Sequence, residues 1–100
     1  MPWPDQQPAK LSPVDALRLV RELAADSANV GLTQHCRARM HGRDITLRQI
    51  LTCLQKGIIT EGPAIDTYGN WKMNIYRATD GLTCTVAIAW PSRLIVITVF

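Results

Sequence analysis

Residues 70–100, NWKMNIYRATDGLTCTVAIAWPSRLIVITVF, alternate apolar and polar side chains with a period of two, and turn residues break the run twice. That period predicts three strands, over 70–79, 82–90 and 93–100. Asp80-Gly81 is the signal for a tight hairpin with a type I′ turn, and Pro91-Ser92 turns the second pair. With Thr79 opposite Leu82, one face pairs Ile75 with Val86, Met73 with Ile88 and Trp71 with Trp90. This apolar face should pack on helices. The other face pairs Tyr76 with Thr85, Asn74 with Ala87 and Lys72 with Ala89, and reads as the floor of a shallow polar site. The last strand is apolar on both faces, with Ile95, Ile97 and Val99 on one and Leu94, Val96 and Phe100 on the other. That argues for a central position, with part of the polar face covered, the N-terminal arm being the candidate cover.

Upstream of this meander the period is helical. Ser12-Pro13 reads as a cap followed by proline at the first helical position, and Val14, Leu17, Val20 (or Leu19) and Leu23 recur at helical spacing, predicting a helix over 13–26. A second helix, capped by Thr33, is expected over 33–41, with Leu32, Cys36 and Met40 as a narrow core stripe and Gly42 as its stop. TLRQ (46–49) is a capping box that opens a third helix, with Ile45 and Ile50 placed for a hydrophobic staple. Ile50, Leu51 and Leu54 face inward there, and Gly57 ends it. Residues 58–61 and 65–68 form a short or broken strand, interrupted by Gly62-Pro63. The expected fold is therefore α+β: two to three helices packed on one face of a twisted antiparallel sheet. Residues 1–11 read as an irregular proline-rich arm, whose Trp3 could dock on the body or on a partner, and 12–100 as a single domain.

Composition narrows the class. At 47% hydrophobic and 19% charged, the 100 residues suit one folded domain rather than a disordered chain. No apolar run approaches the roughly 18 residues of a membrane span. The N-terminus also lacks the basic-then-apolar layout of a secretory leader, so a soluble cytoplasmic protein is expected. Cys36, Cys53 and Cys84 are odd in number and scattered, so reduced thiols are expected rather than a disulfide framework or a zinc knuckle.

The net charge is +3, and its distribution is more telling. Residues 33–56 carry Arg37, Arg39, Arg43, Arg48 and Lys56 against the single acid Asp44. A basic segment on a near-neutral body suggests an anionic partner; a solvated basic face with no partner is the alternative. Within this segment His35 and Arg39 lie four apart on one helical face, and Arg43 could continue the row. Arginine grips phosphate with a planar fork, and histidine moves protons near neutral pH. Together they suit RNA cleavage by the internal 2′-hydroxyl, which needs a base, an acid and cations around the phosphate but no metal. The competing reading makes the arginines surface packing groups and His35 structural. Metal binding fits poorly, because His35 and Cys36 point about 100° apart on a helix and His41 is not at the i, i+4 spacing from His35 that a helical metal pair uses. No cofactor is expected.

HCRARMHGRDIT (35–46), LQKGIITEG (54–62) and the terminal LIVITVF (94–100) resemble the small bacterial family called DUF4258. Its pattern of histidine, three residues, Arg-Met, two residues, arginine, one residue, isoleucine matches His35, Arg39, Met40, Arg43 and Ile45. Its helix ending in glycine before a glutamate-containing strand matches Gly57 to Glu61. The resemblance covers about residues 33–100. That family in turn resembles compact ribonuclease toxins of the RelE, BrnT and MqsR type, with Trp71 to Arg77 and Leu94 to Phe100 echoing strands of MqsR. Lys72 stands where MqsR-like toxins have glutamine, and their lysine past the last strand has no match after Phe100, so their active-site set does not carry over as a whole.

The resemblance implies the toxin of a bacterial toxin–antitoxin pair, a metal-independent endoribonuclease cleaving mRNA, with a cognate antitoxin as partner. A homodimer is compatible with the sequence. In this reading His35 transfers the proton. Arg39 and Arg43 contact the scissile phosphate, with Arg37 beside them on the same basic helix. Lys72 adds charge from the sheet, and Tyr76 stacks on a base or shares in proton transfer. The rival is a non-catalytic module that docks an acidic protein or nucleic acid through the same basic segment. A helix-turn-helix regulator of its own operon ranks last, because Asp44 sits in the turn and the helix from Leu47 has few base-reading groups.

Overall fold

Helix, edge strand, two helices and a four-stranded meander follow one another in the computed structural model, which describes residues 4–100. The elements are α1 (Pro13–Ala24), a 3-10 turn (Ser27–Asn29), β1 (Val30–Leu32), α2 (Gln34–Arg43), α3 (Leu47–Lys56), β2 (Ile58–Ile65), β3 (Trp71–Arg77), β4 (Leu82–Ala89) and β5 (Arg93–Val99). They form one five-stranded sheet in the order β1-β5-β4-β3-β2. Pairing is antiparallel from β2 to β5, while β1 runs parallel to β5. The α+β class holds. The sheet is mixed rather than wholly antiparallel, because three residues too few to show a period, Val30–Leu32, form its second edge.

The helix starts follow their caps. The side chains of Ser12, Thr33 and Thr46 accept from Asp15 N, Cys36 N and Gln49 N, and Gln49 returns the bond to complete the capping box. The ends differ from expectation. α1 stops at Ala24, because Asp26 turns its carboxylate to Ala28 N and opens the 3-10 turn instead. Val14 is 68% exposed, since the buried stripe of α1 runs through Ala16, Leu19, Val20 and Leu23. Gly42 does not stop α2. The helix runs on to Arg43 and ends where Asp44 takes a left-handed φ of 54° and its N–H bonds Met40 O. Arg43 is thus helical and in line with Arg39. A Cβ at Gly42 would meet nothing within 4 Å. Gly42→Ala is therefore expected to stabilise the fold by about 0.5–1 kcal/mol, read from urea midpoints.

The β3–β4 register is displaced by two residues. Arg77 lies opposite Leu82, Ile75 opposite Cys84, Met73 opposite Val86 and Trp71 opposite Ile88. Residues 78–81 form a four-residue loop in which Gly81 alone has a positive φ. A type I′ turn would need Asp80 left-handed as well; instead its carboxylate pairs with Arg77 at 3.3 Å. A shift of two preserves the faces, so Trp71, Met73 and Ile75 still point to the helices, as expected. In β5 the alternation breaks. Thr85 faces Thr98 but Val86 faces Val96, so Ile97 is an inserted bulge residue. The bulge puts Leu94, Val96 and Val99 together in the core and turns Thr98 to the opposite side. β2 is continuous through Gly62-Pro63 but has two irregularities there, and residues 66–69 form a turn, not a strand.

α1 and α3 cover one face of the sheet, and α2 packs along β5 with Cys36 in the same core. Leu19, Ile50, Leu54, Ile75, Ile88 and Leu94 are essentially fully buried between the layers, each worth about 1.5–3 kcal/mol of transfer free energy. Cys53 joins them, and Leu51 is only partly buried. The described part of the arm is irregular. It is strapped to the end of β3 and β4: Trp71 Nε1 donates to Pro8 O (3.1 Å) and Trp90 Nε1 to Pro4 O (2.8 Å). It does not line the open face. The expectation for Trp3 lies outside the described residues.

Candidate functional site

α2 owes its position to the shortness of β1. That strand ends at Leu32, opposite Val96, and leaves residues 97–99 of β5 without a strand neighbour on the side away from β4. α2 takes the place. Thr33 N donates to Val96 O (3.1 Å), Thr33 Oγ1 to Ile97 O (2.6 Å) and Arg39 Nε to Val99 O (3.3 Å). Buried Cys36 anchors the helix from the core side. His35, Arg37 and Arg43 are exposed, and Arg39 is half-buried. No acid lies in the first turn of α2, so His35 and Arg37 oppose the helix dipole, whereas His41 and Arg43 complement it. Among the described residues the ion pairs are Arg18–Asp15 and Arg77–Asp80. The cations of α2 thus have no carboxylate partner among the described residues.

The face of the sheet away from the helices carries a groove of about 600 Å³. Cross-strand pairing lays its floor in rows. One row is Glu61, Asn74, Thr85 and Thr98 across β2, β3, β4 and β5; the next is Ala64, Lys72, Ala87 and Ile95. The first row is hydrogen-bonded: Thr85 Oγ1 donates to Asn74 Oδ1 (2.7 Å) and Asn74 Nδ2 to Glu61 Oε2 (3.2 Å). The groove reaches Ile97 and Thr98, the segment whose outer edge α2 closes. Its β5 rim and the basic helix are therefore contiguous.

The candidate residues fall into two groups. His35, Arg37, Arg39 and Arg43 share α2, with Arg39 bonded to the outer edge of β5 at Val99 O, next to the groove residues Ile97 and Thr98. Lys72 lines the groove, while Tyr76, half-buried, stands in a separate row with Ile58 and Thr83. The His35 side chain makes no hydrogen bond to the described residues. Glu61 and Thr98 join the site without having been singled out from the sequence, because bulges in β2 and β5 break the alternation that would have marked them. Thr98 left one trace, as the sole polar residue in LIVITVF. Among the described residues no three His, Cys, Asp or Glu side chains gather as a metal site.

The cysteines lie apart from this surface. All three are free and wholly buried. Burial pushes the Cys36 thiol up; Cys84 is pushed up much further by the neighbouring Cys53 thiol and by burial, while Cys53, whose Sγ donates to Ile75 O and Leu82 O, is shifted down as the other member of that pair. A thiol whose folded pKa is raised stays protonated in the native protein while the unfolded chain ionises near pH 8.5. Its contribution is complete below that pH and is lost as the pH rises above it. Through Cys36, which stands outside the Cys53–Cys84 pair, the urea midpoint is expected to fall between pH 8 and pH 10, and iodoacetamide at pH 8 is expected to label the native protein no faster than it unfolds.

No helix among the described residues is long and apolar enough to cross a membrane. No match was found among curated proteins or among solved structures. One family model matches residues 32–100, from the last residue of β1 through α2, α3 and the meander, which takes in the whole of the surface described above. By that match the chain belongs to the family described as Domain of unknown function (DUF4258).

Proposed function

We propose that this protein is a metal-independent endoribonuclease, acting in the cytoplasm as the toxin of a toxin–antitoxin pair, with its antitoxin and mRNA as partners. The observation that carries the reading is Arg39 at the outer edge of β5. Its Nε is held by Val99 O, which leaves both terminal amino groups for an RNA phosphate lying along the edge of the groove. Arg43 and Arg37 extend the positive charge along α2, and Lys72 supplies it from the sheet. Cleavage proceeds by attack of the 2′-oxygen on the adjacent phosphorus. His35 takes the hydroxyl proton, the bond to the 5′-oxygen breaks, and that oxygen takes a proton from water as it leaves. The products are a 2′,3′-cyclic phosphate and a 5′-hydroxyl. Tyr76, one row away, is available for stacking.

A second reading, a non-catalytic basic module docking an acidic protein or nucleic acid, is favoured by one observation: nothing among the described residues orients the His35 ring. One experiment separates them. A long single-stranded RNA is incubated with the protein in EDTA, beside His35→Ala and Arg39→Ala. Cleavage to cyclic-phosphate ends by the wild type, lost in both folded variants, is the result expected of the enzyme. Binding without cleavage by the wild type establishes the module.

A further inference from the structure

The floor of the groove presents a fixed pattern of donors and acceptors. An ionised carboxylate only accepts, so the Asn74 amide must turn its nitrogen to Glu61 and its oxygen to the Thr85 hydroxyl, as observed. Thr85 is 7% exposed, and this anchors the chain from below. The Glu61 side chain is thereby held over the floor with Oε1 and the outer lone pairs of Oε2 unused, beside the second Nδ2 hydrogen of Asn74. Read along the row, the groove offers one donor and then two adjacent acceptors.

Among the RNA bases, guanine has the complementary edge: the O6 acceptor followed by the adjacent donors N1–H and N2–H. Adenine begins with a donor and has a single acceptor before its C2–H, cytosine begins with a donor and continues with two acceptors, and uracil flanks a single donor with two acceptors. Ala64, Ile65 and Ile97 give the groove apolar walls, and its volume of about 600 Å³ lies within the range of small-ligand sites, roughly 300–1,000 Å³. Lys72 stands two residues from Asn74 on the same face, about 7 Å away along β3, where it can meet the phosphate of a bound nucleotide. Its charge also offsets that of Glu61, while Asp66, the second carboxylate of the lining, accepts through Oδ1 from Tyr68 N and Asn70 N in its own turn.

We propose that this groove is a nucleobase pocket that selects guanine through Glu61 and Asn74. The inference rests on reading the protein as an RNA-cleaving enzyme and assigns its base preference. The test is titration of the full chain with 5′-GMP, 5′-IMP, 5′-AMP, 5′-CMP and 5′-UMP, followed by amide NMR shifts and repeated with Glu61→Gln. 5′-GMP is expected to bind at least ten-fold more tightly than 5′-AMP, 5′-CMP or 5′-UMP. 5′-IMP, which lacks the N2 amino group, should fall between. Glu61 is exposed, so Glu61→Gln is expected to fold normally; its amide sets a donor against the guanine donors and should erase the preference. Thr85→Val, which frees the Asn74 amide to rotate, should weaken it in the same direction.

Equal binding of all nucleotides, or a preference unchanged in Glu61→Gln, overturns the pocket. So does Glu61-dependent binding of N-acetyl-arginine amide in place of 5′-GMP, which would make the groove a peptide site. RNA cleavage in EDTA is scored separately. Cleavage without guanine preference leaves the nuclease reading and removes this inference, whereas guanine preference without cleavage does the reverse.

Discussion

Gly57→Ala is expected to destabilise the fold by about 3 kcal/mol, at the upper end of ordinary overpacking. Gly57 sits at the junction of α3 and β2 with φ −77° and ψ −179°, a conformation open to any residue. Its need for glycine is spatial. An added Cβ would lie 2.6 Å from Cys53 O, 2.8 Å from Tyr76 O and 2.8 Å from Ile75 Cγ2. Two of those neighbours are backbone oxygens, one in α3 and one in β3, and neither can move without breaking its own ladder. The Gly57 carbonyl also accepts from Arg21 Nη2 at 3.2 Å, which ties α1 to the same corner. Three elements meet there, so the strain spreads to all of them. The check is a pair of urea unfolding curves, with Gly42→Ala as the opposite-sign control. A Gly57→Ala midpoint equal to wild type would show that the junction relaxes without cost.

Much of the layered architecture could be read from local signals, and the exceptions share a cause. The three caps and the capping box are decided by side chains within three residues of the bond they make, so Thr33 and Thr46 marked their helices correctly. The inward set of β3 survived a wrong turn because the error was an even number of residues. What stayed hidden depends on partners distant in sequence. β1 is strand because Leu94, Ile95 and Val96 lie beside it, and three residues of their own carry no period. Ile97 is a bulge because of its pairing with β4, and that single insertion decides whether Thr98 faces the core or the groove. Glu61 likewise reaches the Asn74 row through a break in β2 register. The basic character of α2 was plain from composition, but its placement along the open edge of β5 was not. That placement exists because β1 is too short to cover the edge, which leaves backbone carbonyls that a helix side chain must satisfy.

Arg39→Ala is expected to lower RNA cleavage by about a hundred-fold or more, in line with removal of one preorganised donor group from a phosphoryl-transfer site. The reasoning separates two parts of one side chain. Nε is structural, since it satisfies Val99 O at the strand edge, and its loss should cost about 1 kcal/mol of stability. In the proposed enzyme the two terminal amino groups are the functional part. Pinning at Nε fixes their plane before RNA arrives, so no ordering cost falls on the transition state. Arg39→Lys isolates this second part. It keeps the charge and much of the RNA affinity but presents no fork, so cleavage should remain near the alanine level. Salt dependence of binding gives an independent reading: losing one phosphate contact on a single strand should reduce the slope of log K against log salt by about 0.7 for Arg39→Ala, and by much less for Arg39→Lys. Wild-type cleavage by Arg39→Ala, with the salt slope unchanged, would place the phosphate elsewhere and reduce this arginine to a clamp on the end of β5.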